Sequence, residues 1–206
     1  MRPEKRSNIG PGMVVTAGCI ALVLLVSCAT KKGITLFKLV PVKGQVSSAS
    51  ISEGKIILSA RYLDAGERAM YFREMGFETL GQGLLRVPMT SFLLNLENRS
   101  NQDLILDPSS IRFASGYGPM LSPYNYAHLY MQLPQGSDRQ RILLDLRKAI
   151  YDKTTTLAPG QTSGKLLLFD RPEKVGPVAN ITFNRLYVGG KEHQVALEFV
   201  AVDLEE

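Results

Sequence analysis

The chain has 206 residues, of which 45% are hydrophobic, 24 are basic, 19 are acidic and two are cysteine. That length and apolar share suit one domain with a packed core rather than a disordered chain. Two cysteines exclude a disulfide-stapled scaffold and a cysteine zinc site, and a net charge of +5, with three of the cations in the opening segment, makes no electrostatic case for nucleic acid.

The segment from Met1 to Gly12 carries Arg2, Lys5 and Arg6 against Glu4, and the run from Met13 to Val26 carries no charge. A bilayer-spanning helix needs about 20 apolar residues, so this run is short. A basic start, a short apolar segment and a small residue at the cut are the layout of an export signal. The stretch ends in Leu25-Val26-Ser27-Cys28, which resembles the bacterial lipobox. The resemblance implies cleavage between Ser27 and Cys28, a diacylglyceryl group on the Cys28 thiol and acylation of its new amino group. Cys19 also follows small residues, but only Met13 to Val15 would precede it as an apolar run. The competing reading is an uncleaved membrane-anchor helix with both cysteines as small apolar residues. Ala29 follows Cys28; lipoproteins kept at the inner membrane commonly carry aspartate there, so the family pattern favours the periplasmic face of an outer membrane in an organism with two membranes. Stable anchoring needs more than one acyl chain, which a lipoprotein cysteine supplies.

The expected plan is therefore a signal over residues 1–27, a lipidated N-terminus and tether over 28–54, and a domain over 55–206. From Cys28 onward the chain keeps a net charge near +3. With Cys19 removed and Cys28 acylated, no disulfide can form, and core burial alone must hold the domain. Lys31-Lys32-Gly33 and the run Ser47 to Ser52 read as polar spacer. Ile34 to Val42 is more apolar and fits a strand laid against the domain, with Pro41 confining it to an edge.

Lys55 to Leu63 is a strand by composition. Asp64 and Glu67 have capping-box spacing before Ala69, Met70, Phe72 and Met75, which predicts a short helix stopped at Gly76. Gly81-Gln82-Gly83 reads as a break. Val87 to Asn98 is the strongest strand, with Phe92, Leu94 and Leu96 on one face. A turn at Asn98 to Asn101, short strands at Leu104 to Leu106 and Ile111 to Ala114, and a loop at Gly116 to Pro123 follow. A helical insertion is expected over about 124–153, where Ser137 and Gln140 form a second capping box. Ile142, Leu143, Leu146, Ala149 and Ile150 then recur at helical spacing opposite Arg139, Arg141, Arg147 and Lys148. Leu157 to Gln161 is a turn, Lys165 to Phe169 a short buried strand, and Gly189 to His193 joins the last two strands. Short strands separated by turn residues argue for a mainly β sandwich.

The succession of Lys55 to Phe113, with Tyr71-Phe72 in the helix and Leu96 to Ser100 at a strand end, followed by Leu157 to Thr162 and Gly164 to Phe169, resembles the immunoglobulin-like domains of bacterial envelope lipoproteins. The resemblance implies an immunoglobulin-like β-sandwich and carries over no catalytic residue.

Tyr117, Tyr124, Tyr126 and Tyr130, half of the eight tyrosines, lie close together in the chain around His128. Such a cluster could grip a sugar or a protein, or pack the insertion onto the sandwich. The basic face of Arg139, Arg141, Arg147 and Lys148 reads as a solvated helix face diluted by Asp138 and Asp145. Asp103, Asp107 and Asp170 lack the dense spacing of a calcium loop, and Ser109 or Ser110 with His128 lacks a nucleophile elbow. His193 sits in a hairpin turn. The expectation is a non-enzymatic adaptor without metal or cofactor, held at the envelope through Cys28 and docking a protein partner. A small-ligand or glycan-binding protein is the alternative, and a hydrolase the remoter one.

Overall fold

The computed structural model describes residues 37–42, 46–51, 55–85, 87–133 and 139–203. The export segment, Ser27, Cys28 and the Ser137 cap lie outside them. Among the described residues, ten strands and four helices follow in order: β1 (Phe37–Pro41), β2 (Ser47–Ile51), β3 (Ile56–Leu63), α1 (Ala65–Glu74), α2 (Glu78–Leu84), β4 (Met89–Asn98), β5 (Leu104–Leu106), β6 (Ile111–Ser115), α3 (Tyr126–Gln132), α4 (Arg139–Ala149), β7 (Thr155–Leu157), β8 (Thr162–Asp170), β9 (Val178–Val188) and β10 (Lys191–Asp203). A 3-10 turn at Pro108–Ser110 joins β5 to β6.

The strands form two antiparallel sheets, the mainly β sandwich with helical insertion that the sequence predicts. One runs β2-β3-β4-β8. The other runs β1-β10-β9-β5-β7, and β6 pairs with β9 beside β5. The period-two positions of β4 explain the core: Phe92, Leu94 and Leu96 are buried between the sheets, against Phe113, Ile181, Phe183, Leu197 and Phe199. Phe92 sits at the centre, its ring 5.0 Å from Phe199, 5.4 Å from Phe113, 5.9 Å from Tyr62 and 6.0 Å from Phe169. The tilted and edge-on arrangements are those that aromatic quadrupoles favour.

A second core lies on the other face of the four-stranded sheet. Leu63, Met89, Leu166 and Leu168 pack there against Phe72, Leu80, Leu84, Leu129, Ile142 and Leu146 of the helices. This layer explains the unbroken run Leu166-Leu167-Leu168-Phe169. Leu167 and Phe169 enter the sandwich and Leu166 and Leu168 enter the helical core, so all four are buried.

Local signals largely hold. Asp64 Oδ1 accepts from Glu67 N at 2.8 Å and Glu67 Oε2 accepts from Asp64 N at 3.0 Å, so α1 begins on its capping box. Gly76 follows the C-cap with φ 75°. The β9–β10 hairpin turns on Gly189 and Gly190, both at positive φ, which matches a two-residue turn of the type that follows strand twist. Asn98 ties the two sheets. Its Nδ2 donates to the carbonyls of Gln102 and Leu157, both at 2.8 Å, and its Oδ1 accepts from Ser100 N and Oγ.

Two expectations need correction. The polar run that opens at Ser47 is strand through Ile51 rather than spacer, so the domain does not begin at 55. β2 pairs with β3 from Ser47↔Ala60 to Ile51↔Ile56, while β1 pairs with the last strand, Phe37↔Asp203 to Pro41↔Phe199. Both are edge strands, as Pro41 requires; small polar residues in β2 are tolerated because an edge strand packs little. The second correction concerns Gly81 and Gly83, which lie inside α2 rather than breaking the chain. A Cβ on Gly81 would stand 3.1 Å from Phe72 Cβ, and one on Gly83 would stand 3.5 Å from Leu133 Cδ2. The glycines let α2 pack closely, a need that local propensity does not reveal.

Candidate functional site

The four tyrosines singled out in the sequence fall into three environments. Tyr124 is buried where the chain enters the helical layer. Its N–H donates to Leu168 O at 2.6 Å, its hydroxyl donates to Asp170 Oδ1, and Gln132 Nε2 donates to that hydroxyl at 3.2 Å. Burial, reinforced by the bond to Asp170, pushes its pKa up to about 12. Tyr124 is thus a structural peg rather than part of a binding surface.

Tyr126 and Tyr130 share a face of α3, one helical turn apart, with ring centroids 6.5 Å apart. Asn125 caps α3 by accepting from His128 N at 3.0 Å. α4 lies alongside, its apolar stripe of Ile142, Leu143, Leu146 and Ala149 buried. That orientation turns two of the predicted basic residues onto the tyrosines. The Arg139 guanidinium stands 3.8 Å from the Tyr130 ring centroid and donates to Tyr130 O at 2.8 Å. The Arg147 guanidinium stands 4.4 Å from the Tyr126 centroid. Arg141 and Lys148 are exposed elsewhere on α4. Met131 and Leu144 of the same two helices are also exposed, at 80% and 53%. Spacing along one helix could not disclose the arginine–tyrosine stacks, because each joins α3 to α4.

Tyr117 is separate from all of these. It lies in the loop after β6, fully exposed, with Met120 at 75% exposure nearby. This loop and the one after β8 enclose an open groove of about 640 Å³, lined by Tyr117, Pro119, Leu121, Arg171, Pro172 and Val175 among others. The groove depends on a close backbone approach. Gly116 has φ 57°, a Cβ on it would lie 2.8 Å from Gly176 Cα, and Gly176 N donates to Ser115 Oγ at 3.1 Å. The groove is mixed in charge at its rim, with Arg171, Glu173 and Lys174.

The remaining residues weighed in the sequence do not converge. Asp107 caps the 3-10 turn, accepting from Ser109 N and Ser109 Oγ; Asp103 O accepts from Gly189 N; Asp170 holds Tyr124. Ser109 and Ser110 lie in the 3-10 turn between β5 and β6 of the six-stranded sheet, whereas His128 is exposed on a helix beyond the other sheet. The sandwich core separates them. His193 is half-buried at the bulge that opens β10. Among the described residues no three His, Cys, Asp or Glu side chains gather as a metal site would require, and no helix is long and apolar enough to cross a membrane.

One buried ion escaped the sequence reading. Arg68 of α1 is 3% exposed, with Nη1 donating to Ser91 Oγ at 2.7 Å and Nη2 to Leu84 O at 3.2 Å. Burial pulls its pKa below the usual arginine value, against the opposing influence of Tyr62 and Asp64. It bridges α1, α2 and β4.

No protein-family model and no curated protein matches the chain. Among solved structures it is similar to the yjhA protein from Bacillus subtilis, at 11% identity and a TM-score of 0.32, over 47% of this chain and 56% of that one. The chain thus spans little more than half the length of that protein, and a likeness at this score carries no argument about function.

Proposed function

We propose that this is a cell-envelope lipoprotein, acylated at Cys28, whose sandwich domain is a non-enzymatic adaptor that docks a protein partner. The anchor rests on Leu25-Val26-Ser27-Cys28 behind the uncharged run Met13 to Val26. The docking face is the α3–α4 surface. The observation that carries it is the pair of arginine–tyrosine stacks, Arg139 on Tyr130 and Arg147 on Tyr126, beside exposed Met131 and Leu144. Tyrosine and arginine are the side chains that dominate interface energetics, and stacking reduces the rotamer freedom they would lose on binding.

A photo-crosslinking residue at Met131 in the anchored protein tests this in cells. A discrete adduct that is lost when Tyr126 and Tyr130 are both changed to alanine is the expected result; no adduct from Met131, Leu144 or Tyr130 defeats the docking face. The anchor has its own test. Cys28→Ser should abolish acylation, seen by mass spectrometry, and should release the protein from membranes on fractionation.

The groove favours a second reading, because about 640 Å³ lies in the range of small-ligand sites. A small ligand or glycan that binds there would raise the thermal midpoint in proportion to the logarithm of its concentration, and Tyr117→Ala would remove that rise.

A further inference from the structure

The end of the sandwich that holds the groove is also the end at which β1 begins. Phe37, the first residue of β1, pairs with Asp203 at the end of β10. At the same end β9 begins at Val178, β6 finishes at Ser115 opposite Ala179, and β8 finishes at Asp170. Contacts knit Phe37 to this end. Its ring lies 6.4 Å from that of Tyr62, its carbonyl oxygen accepts from the Tyr62 hydroxyl at 3.5 Å, and the Arg171 guanidinium stands 5.5 Å from its centroid. Arg171 also lines the groove.

Only the short segment Ala29 to Leu36 separates Cys28 from Phe37. A fully extended chain covers about 3.3–3.6 Å per residue, so the start of β1 stays within roughly 30 Å of the acylated sulfur. Pairing of β1 and β2 into the sheets shortens the expected tether of 28–54 to the eight residues before Phe37. The side chains exposed here suit a lipid interface. Tyr117 and Met120 project from the loop, Val178 and Val202 are 49% and 44% exposed, and Lys174 and Arg171 outnumber Glu173 at the groove rim. Amphipathic aromatic rings and long cationic side chains are the residues that settle at headgroup depth.

We propose that the groove end of the domain seats on the bilayer that holds the Cys28 acyl chains, with Tyr117 and Met120 at headgroup depth. This rests on acylation of Cys28. It leaves the α3–α4 face at the side of the seated domain, open to a protein partner. Sparse apolar contacts of this kind are too weak to bind a membrane alone, but the anchor makes the contact intramolecular, where effective concentrations in the millimolar range suffice.

The chain contains no tryptophan, so one introduced indole is an unambiguous probe. Acylated full-length Tyr117→Trp protein is placed in vesicles of phosphatidylethanolamine and phosphatidylglycerol with a fraction of bromine-labelled phospholipid. Met120→Trp serves as a second reporter, and Tyr187→Trp, beside the hairpin at the opposite end, as the control. Bromolipid is expected to quench the Tyr117→Trp and Met120→Trp emission at least twofold more than that of Tyr187→Trp. Equal quenching at the two ends, in protein whose acylation is confirmed by mass, overturns the seating and leaves the anchor intact. Protein that carries no acyl group on Cys28 overturns both. A photo-crosslinker at Tyr117 that yields protein adducts and no lipid adducts also overturns it, in favour of a protein occupant.

Discussion

Replacing Ser91 with alanine removes the hydroxyl that accepts a 2.7 Å hydrogen bond from Arg68 Nη1. Arg68 is 3% exposed and among the described residues no carboxylate lies within ion-pair distance of it, so its charge is held by that hydroxyl and Leu84 O. A hydrogen bond to a charged group contributes about 1.5–3 kcal/mol, and a buried donor left alone costs its full desolvation. Ser91→Ala should therefore lower unfolding free energy by about 1.5–3 kcal/mol. The double change Arg68→Met with Ser91→Ala removes donor, charge and acceptor together. Leu84 O keeps Val87 N as a partner at 3.2 Å, and the methionine fills much of the volume. Exchanging a buried charge and its partner for apolar groups is often neutral or stabilising, so the double variant should recover to within about 1 kcal/mol of the parent. Urea unfolding of the parent, both single variants and the double variant, followed by circular dichroism, gives the coupling energy. A double variant less stable than Ser91→Ala would refute the reasoning, because it would mean that the buried cation stabilises the fold in its own right.

Phe92→Ala empties the centre of four aromatic contacts and should lower stability by about 3–5 kcal/mol in the same urea assay. Gly116→Ala combines a φ of 57° with a 2.8 Å approach to Gly176 Cα; a loss of about 1–3 kcal/mol is expected, with faster proteolysis of the two groove loops. Tyr124→Phe gives a pH signature. The folded pKa near 12 exceeds the ordinary tyrosine value of 10.0, so the folded state keeps a proton that the unfolded chain sheds, and wild-type stability should fall as pH rises from 10 to 12. The phenylalanine variant should be less stable at pH 8 and should show a shallower fall over that window, as read from unfolding midpoints. Parallel curves would show that Tyr124 contributes no linkage there.

Wherever neighbours along the chain carry the information, the sequence alone was sufficient. The Asp64–Glu67 cap, the alternation of Phe92, Leu94 and Leu96, the stripe from Ile142 to Ala149 and the Gly189-Gly190 turn are each set by contacts within a few residues or by a simple period. A mainly β sandwich with a helical insertion follows from them; the expectation of a lipid anchor at Cys28 rests separately on the resemblance of Leu25-Val26-Ser27-Cys28 to a lipobox. The tertiary structure alone decided what depends on distant partners. Ile34 to Val42 reads as an edge strand, but that its partner is β10, remote in the chain, only the packed fold decides. Gly81 is helical because Phe72 comes against it. The tyrosines from 117 to 130 look alike in sequence, yet one is a buried peg, two are stacked by arginines from another helix, and one stands open beside a groove. Side-chain type sets what a residue can do, but burial and partners set what it does, and those arise only when segments remote in the chain are packed together.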